Sequence, residues 1–363
     1  MKKAVLCLTM LALLVSGFCL NSGTAKAADE PIVLTLNLGM PPIHQRWVKA
    51  LKPWCDELER RSNGRLVVEP YFADALGKRS EALNSVRTGI ADLAEAPFST
   101  NPGQFPFHSQ IFSAARPSMA LGNAQAMLNE FYAVYPQLLS EEIKGVKLLF
   151  THAYPVGDCV MTKSSPIRTL DELKGKKIGF QGGGLRFDKM QALGATVVGM
   201  SMSDLYQALQ SGIIDGIAMD FDPLISRRYG EEVKHVTLLN ITGTGFYMVM
   251  NQATYDSLPP DLQKIMDEMA GEYADKLLDG FWSENVYGSL EKWMNEMGGT
   301  VYALSDADYA RADAMTDKPI KAWFNTIKLK GVSGDKLYQT FQTLEEKYFA
   351  PWDKSEVYKY VKK

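Results

Sequence analysis

Two stretches of this chain, about 120 residues apart, carry one pattern: residues 80–92 read SEALNSVRTGIAD and residues 203–215 read SDLYQALQSGIID. Aligned, they share a serine, an acid (Glu81, Asp204), an amide (Asn84, Gln207) and a closing Gly-Ile-x-Asp. Each copy follows a β-rich segment opened by glycine, Gly64-Arg-Leu-Val-Val in the first and Gly194-Ala-Thr-Val-Val in the second. Strand, helix, glycine stop and second strand make a βαβ unit, the seed of a parallel sheet. A serine cap and a glycine stop are ordinary helix punctuation, but the matched order exceeds what caps alone require. Two such units predict two similar α/β lobes, and two lobes enclose a cleft.

The first residues predict export. Lys2 and Lys3 precede a mostly apolar run from Ala4 to Leu20, which ends in Ala25-Lys26-Ala27. A basic start, a short apolar core and small residues before the cut describe a cleaved secretory signal over residues 1–27. Cys19 suggests a lipid-anchored alternative, but Phe18 before it is too large for that processing. Of 39 basic residues three leave with the signal, so 36 bases remain against 42 acids, a net charge of −6. Nothing here is basic enough for nucleic acid. Cys7 and Cys19 are also lost, and Cys55 and Cys159 read as two isolated small hydrophobes rather than a disulfide.

Ile32–Leu38 alternates as a strand, Pro41-Pro42 breaks it, and residues 44–61 read as a helix with Trp47, Leu51, Trp54 and Leu58 on one face, with a kink or a restart at Pro53. A second lobe is expected from about Ala153. There Lys177–Phe180 is a strand, and Gly182-Gly183-Gly184 leads into a helix. That turn lacks both the dinucleotide spacing and the P-loop lysine, so it reads as a permissive turn beside the cleft. Residues 247–250 form a strand able to cross back to the first lobe. From Pro260 to Met297 helix-period apolar positions (Ile265, Met269, Tyr273, Leu277, Phe281), interrupted only by Gly271, Gly280 and Gly288, predict a helix of roughly 55 Å bracing both lobes, with a kink near Gly280 or Gly288 as the alternative to a continuous rod. The expected division is residues 28–152 with about 242–280 in the first lobe, and 153–241 with about 281–363 in the second.

No catalytic constellation is legible. The four histidines His44, His108, His152 and His235 form no HExxH, there is no CxxC, and there is no GxSxG elbow. Asp220 and Asp222 stand two apart, a spacing that alone supports no glycosidase. No cofactor is expected. An exported two-lobe chain without such a set reads as a binding protein that closes around a solute, not an enzyme.

Leu173-Lys-Gly-Lys-Lys-Ile-Gly, Ala192-Leu-Gly-Ala, Ser203-Asp-Leu-Tyr-Gln-Ala-Leu-Gln-Ser-Gly and Ile214-Asp-Gly resemble the solute-binding subunits of TRAP transporters, the DctP-type periplasmic receptors. Ser62-Asn-Gly-Arg, Ala75-Leu-Gly-Lys and Leu258-Pro-Pro-Asp-Leu-Gln-Lys also match, and the likeness runs from about residue 32 to 350. It implies an α/β fold of the two-lobe periplasmic binding protein kind, with a cleft between lobes and a long helix spanning both. It also implies a small organic solute and handover to the small and large subunits of a membrane permease driven by sodium or protons. A receptor of the same fold serving an ABC system or a sensor is the alternative.

The family's strand aligned with Lys177–Phe180 usually carries an arginine that clamps a solute carboxylate; Gly179 stands there. A second frequent arginine falls at Cys159, and a family asparagine near Met219. Three explanations stay open. The cation has moved to Arg79 or Arg186; or the solute is neutral or cationic and is held by Glu95, Asp158, Asp220 or Asp222; or the alignment is displaced. Met40, Phe98, Met202, Met219 and Phe246 fall at or near the expected apolar walls, although such residues equally fill cores. His44 and Gln181 complete the candidate set.

Overall fold

The computed structural model describes residues 30–362; the expected export signal, with Cys7 and Cys19, lies outside them. The repeated pattern does form two βαβ units. In the first, helix Ala82–Arg87 ends at Gly89 (φ 73°) and leads to strand Leu93–Pro97. In the second, helix Met202–Ser211 ends at Gly212 (φ 75°) and leads to strand Gly216–Met219. Only glycine takes such a left-handed stop without strain. The shared aspartate has one job in both copies: Asp92 accepts from the Thr35 backbone N–H at 2.9 Å, and Asp215 accepts from that of Lys177 at 2.8 Å. Each carboxylate thus ties the returning chain to the neighbouring parallel strand. The caps differ from expectation. The first helix is entered through a 3₁₀ turn, Arg79–Glu81, with no side-chain cap, and the second is capped by Ser201, whose Oγ accepts from Asp204 N.

Each unit sits in its own sheet. One sheet has the strand order Leu66–Tyr71, Ile32–Leu38, Leu93–Pro97, Gly245–Asn251, Val146–Ala153. Its first three strands are parallel, and Gly245–Asn251 enters antiparallel to both neighbours. The other sheet runs Thr300–Ala303, His235–Leu238, Cys159–Thr162, Gly216–Met219, Lys177–Phe180, Thr196–Gly199. Gly245–Asn251 is the crossing strand expected at 247–250. Two segments connect the sheets side by side: Tyr154 N donates to Thr244 O, Asp158 N to Thr242 O, and Ile241 N to Asp158 O. These paired connections form the floor between the lobes.

At Pro53 the helix restarts, one of the two outcomes expected there. The helix opens with a π-helical turn, Trp47–Leu51, and Pro53 then falls in the first turn of Lys52–Arg61, where its missing N–H is not needed. The long helix is neither the continuous rod expected nor kinked at Gly280 or Gly288. Pro260–Ala270 and Glu272–Met297 are separated at Gly271, while Gly280 and Gly288 lie inside an unbroken 26-residue helix of about 39 Å. It packs against both lobes, touching Val146–Ala153 in one and Asp222–Ser226 in the other. Helices Asp306–Phe324 and Gly334–Tyr348 cover the opposite side, the first on Leu185–Ala192 and the second on Ala124–Val134. Cys55 and Cys159 are buried free thiols.

Candidate functional site

A cavity of about 690 Å³ opens between the two sheets above the paired connections. His44, Arg46, Lys78, Arg79 and Thr100 line it from the first lobe, and Tyr154, Asp158, Thr244 and Phe246 from the floor. Phe180, Gln181, Arg186, Met202, Met219, Asp220, Asp222 and Arg227 line it from the second lobe. Ten residues expected in the cleft therefore meet there: His44, Arg79, Asp158, Gln181, Arg186, Met202, Met219, Asp220, Asp222 and Phe246.

Five others lie behind the walls. Met40 is packed in the core and Phe98 stacks on His108, 4.8 Å away, behind its strand. Gly179 faces away from the cleft: a Cβ there would stand 2.6 Å from Leu205 Cδ2 and 2.7 Å from Ile214 Cδ1. Cys159 is fully buried, and its thiol donates to Gly157 O. The alignment that set these two positions against the family's arginines does not correspond to cleft positions here; the adjacent Phe180 and Asp158 are the ones that face it. Glu95 is buried under the first-lobe wall, where it holds a cleft residue rather than a solute.

That cleft residue is Arg46. Its Nη2 donates to Glu95 Oε2 at 3.2 Å and its Nε lies 3.1 Å from Oε1, too misaligned for a second hydrogen bond. The guanidinium lies 4.5 Å above the Phe246 ring, a cation–π contact. Behind it, Trp282 Nε1 donates to His152 Nδ1 at 3.0 Å. That bond requires an unprotonated Nδ1, so His152 carries its hydrogen on Nε2 and donates to Glu95 Oε1, 3.2 Å away. Burial raises the Glu95 pKa, but Arg46 and His152 outweigh it and hold the carboxyl below its usual range. A chain of contacts thus runs from the cleft to the helix that joins both lobes. His44 is pushed down to about 4 by burial and by Arg46, so it is neutral at pH 7.

Charge decides what the cleft suits. Five cations (Arg46, Lys78, Arg79, Arg186, Arg227) and four carboxyls (Asp74, Asp158, Asp220, Asp222) line it. Burial pushes Asp158 up to about 7, with Arg186 opposing. Burial and the neighbouring Asp158 and Asp222 raise Asp220 well above the carboxylate range. Both shifts disfavour the charged carboxylate, so the acids counter the five cations less than their number suggests. Asp222 is already occupied, accepting from Ser226 Oγ at 2.7 Å and Asn285 Nδ2 at 2.6 Å. Arg79 crosses Gly39 to donate to its carbonyl at 2.6 Å; a Cβ on Gly39 would sit 2.8 Å from Arg79 Nε, so only glycine leaves it that path. Arg186 is buried, its Nη1 reaches only Gln181 O at 3.3 Å, and its Nε has no hydrogen-bond partner among the described residues.

Two α/β lobes joined by paired connections, with a mixed polar and aromatic cleft between them, define the class of two-lobe ligand receptors. The chain belongs to family 7 of the bacterial extracellular solute-binding proteins, DctP, whose model matches residues 40–326, and it is a TRAP-type receptor of that family. It is 25% identical over 301 residues to the C4-dicarboxylate-binding periplasmic protein DctP of Rhodobacter capsulatus, covering 83% of this chain and 85% of that protein. A TRAP periplasmic solute-binding protein from Desulfovibrio salexigens shares its fold with a TM-score of 0.75 and 28% identity, covering 87% of this chain and 96% of that one. A marine metagenome TRAP solute-binding protein specific for aromatic acid ligands, in complex with metahydroxyphenylacetate, matches with a TM-score of 0.75 and 26% identity, over 87% and 99% of the two chains.

Arg46, Lys78, Tyr154, Phe180 and Arg227 were not among the expected cleft residues. Arg46 precedes the Trp47 face of a helix that reads as a regular rod, and the π-helical turn that begins at Trp47 leaves no mark in the apolar spacing. The one available cue to Phe180 was its neighbour: if Gly179 faces inward, the next residue faces the other way.

Proposed function

We propose that this receptor is exported to the periplasm, binds a small organic acid with an aromatic or otherwise apolar body in the interlobe cleft, and delivers it to the small and large subunits of a TRAP permease. We also propose the division into residues 28–152 with about 242–280, and 153–241 with about 281–363. The membership of the two sheets supports it.

The observation that carries the solute reading is Arg186. A guanidinium with, among the described residues, one long hydrogen bond to a carbonyl and no carboxylate in contact is costly to bury, and a solute carboxylate would satisfy its free donors bidentately. Arg79, whose one hydrogen bond goes to a backbone carbonyl, offers a second cation from the other lobe. Phe246, Tyr154, Met202, Met219 and Phe180 supply apolar wall for the rest of the solute. The relative specific for aromatic acids supports the same class.

Calorimetric titration with aromatic acids, aliphatic carboxylates and amines tests the reading. An acid should bind, and Arg186→Ala should weaken it by at least about tenfold, the loss of a charge-assisted pair; Arg79→Ala reports on the second cation. Binding confined to amines or neutral compounds, indifferent to both variants, would overturn it.

A further inference from the structure

In the second sheet, strand Cys159–Thr162 runs antiparallel to Gly216–Met219, with Cys159 opposite Met219 and Val160 opposite Ala218. Continued one residue past the paired strands, that register brings Asp158 beside Asp220, whose backbone N–H donates to the Asp158 carboxyl. Residues facing each other across an antiparallel pair hold their Cβ atoms about 5 Å apart, and like charges placed so destabilise the sheet. Both side chains are buried, at 7% and 6% exposure, and both line the cavity. A chain selected for stability alone would not bury two acids face to face. Both carboxyl groups are held by backbone donors, Asp222 N–H on Asp220 Oδ1 at 2.9 Å and the Asp220 N–H on Asp158, and among the described residues no side chain donates to either, which leaves oxygen valences for the cleft. Of the other acids nearby, Glu95 and Asp222 are already occupied by Arg46, His152, Ser226 and Asn285.

We propose that Asp158 and Asp220 together recognise a hydroxyl group on the solute, so that the ligand of this cleft is a hydroxylated organic acid. This rests on the organic-acid reading above. Two adjacent carboxyls that share a proton present a donor and an acceptor side by side, and a hydroxyl, itself donor and acceptor, matches both. An ammonium would sit in the field of Arg186, whose charge acts on Asp158. The pair therefore distinguishes acids by what they carry besides the carboxylate. An acid without the hydroxyl leaves buried polar oxygens without a partner, a penalty that discriminates more strongly than an apolar contact.

The test compares matched acids: benzoate with 2-, 3- and 4-hydroxybenzoate, and phenylacetate with mandelate, titrated against the whole mature receptor. At least one hydroxylated member should bind about tenfold or more tightly than its parent. In Asp158→Ala and in Asp220→Ala that ratio should fall towards one. Parents that bind as tightly as every hydroxylated partner would overturn this inference while leaving the organic-acid reading intact. The same holds for a preference that persists in both variants. A wild type without any hydroxyl preference overturns the inference even where a variant does not fold. If amines bind and no acid does, the organic-acid reading fails and this inference falls with it.

Discussion

At Asp158, burial opposes ionisation more strongly than Arg186 and the Asp220 backbone N–H favour it, and the carboxyl is pushed up to about 7. In the unfolded chain the same group titrates near 3.8. Between those values the folded receptor binds a proton that the unfolded chain has released, so stability falls as pH rises through the window. Other groups near the cleft act in the opposite direction, His44 among them, so the total slope does not isolate Asp158. The difference from Asp158→Asn does, because asparagine stands for the protonated acid at every pH. Urea unfolding should show the variant gaining on wild type from pH 4 to pH 7.5, on the order of 3 kcal/mol over the window. A gap that stays constant across it would contradict the raised value. Residues such as Arg79, Arg186, Asp158 and Asp220 were legible because they stand at strand or helix ends beside the cleft-forming units. Gly179 and Cys159 were not, since strand residues alternate in facing and a shift of one residue exchanges cleft for core.

The long interlobe helix is where propensity and packing are separable. Gly280 and Gly288 were the natural kink sites by composition, yet both are exposed, helical, and have open space where a Cβ would be. The chain breaks instead at Gly271, where ψ is −127° and Pro260–Ala270 turns away before Glu272–Met297 begins. No apolar-period count separates these three glycines, because what fixes the break is the bulk of the first lobe. Trp54 Nε1 donates to Met269 O at 2.8 Å and anchors the end of the shorter helix there. Since the two later glycines weaken the helix without serving a turn, Gly280→Ala and Gly288→Ala should each stabilise the receptor by about 0.5–1 kcal/mol in urea unfolding. Destabilisation by either would mean that the helix bends at that point in a populated state. The two lobes themselves were legible, because the repeated Asp92 and Asp215 perform one backbone tie in each sheet and that chemistry is written in the order of residues.

For the whole molecule, what matters is how the two sheets move about the floor. Three links cross between them: the segments around Ala153–Asp158 and Leu239–Thr244, and the helix Glu272–Met297. The floor segments are tightly confined. A Cβ on Gly157 would stand 2.1 Å from Asn240 Oδ1, and Asn240 in turn donates to Met119 O at 2.9 Å while Lys189 donates to its carbonyl at 3.1 Å. Bending is therefore expected to spread over backbone torsions at both segments, with the lobes moving as bodies. Arg79 and Arg186 line the cavity from opposite lobes, so an anion between them would attract both walls, and closure should follow occupancy. Small-angle scattering should record a smaller radius of gyration when a bound acid is present. The melting temperature should rise with free acid as mass action requires, about 2.7 kcal/mol of added stability at one hundred times the dissociation constant. If the radius stays unchanged while the melting temperature rises, the cleft binds without closing, and the handover to a permease would have to recognise something other than lobe geometry.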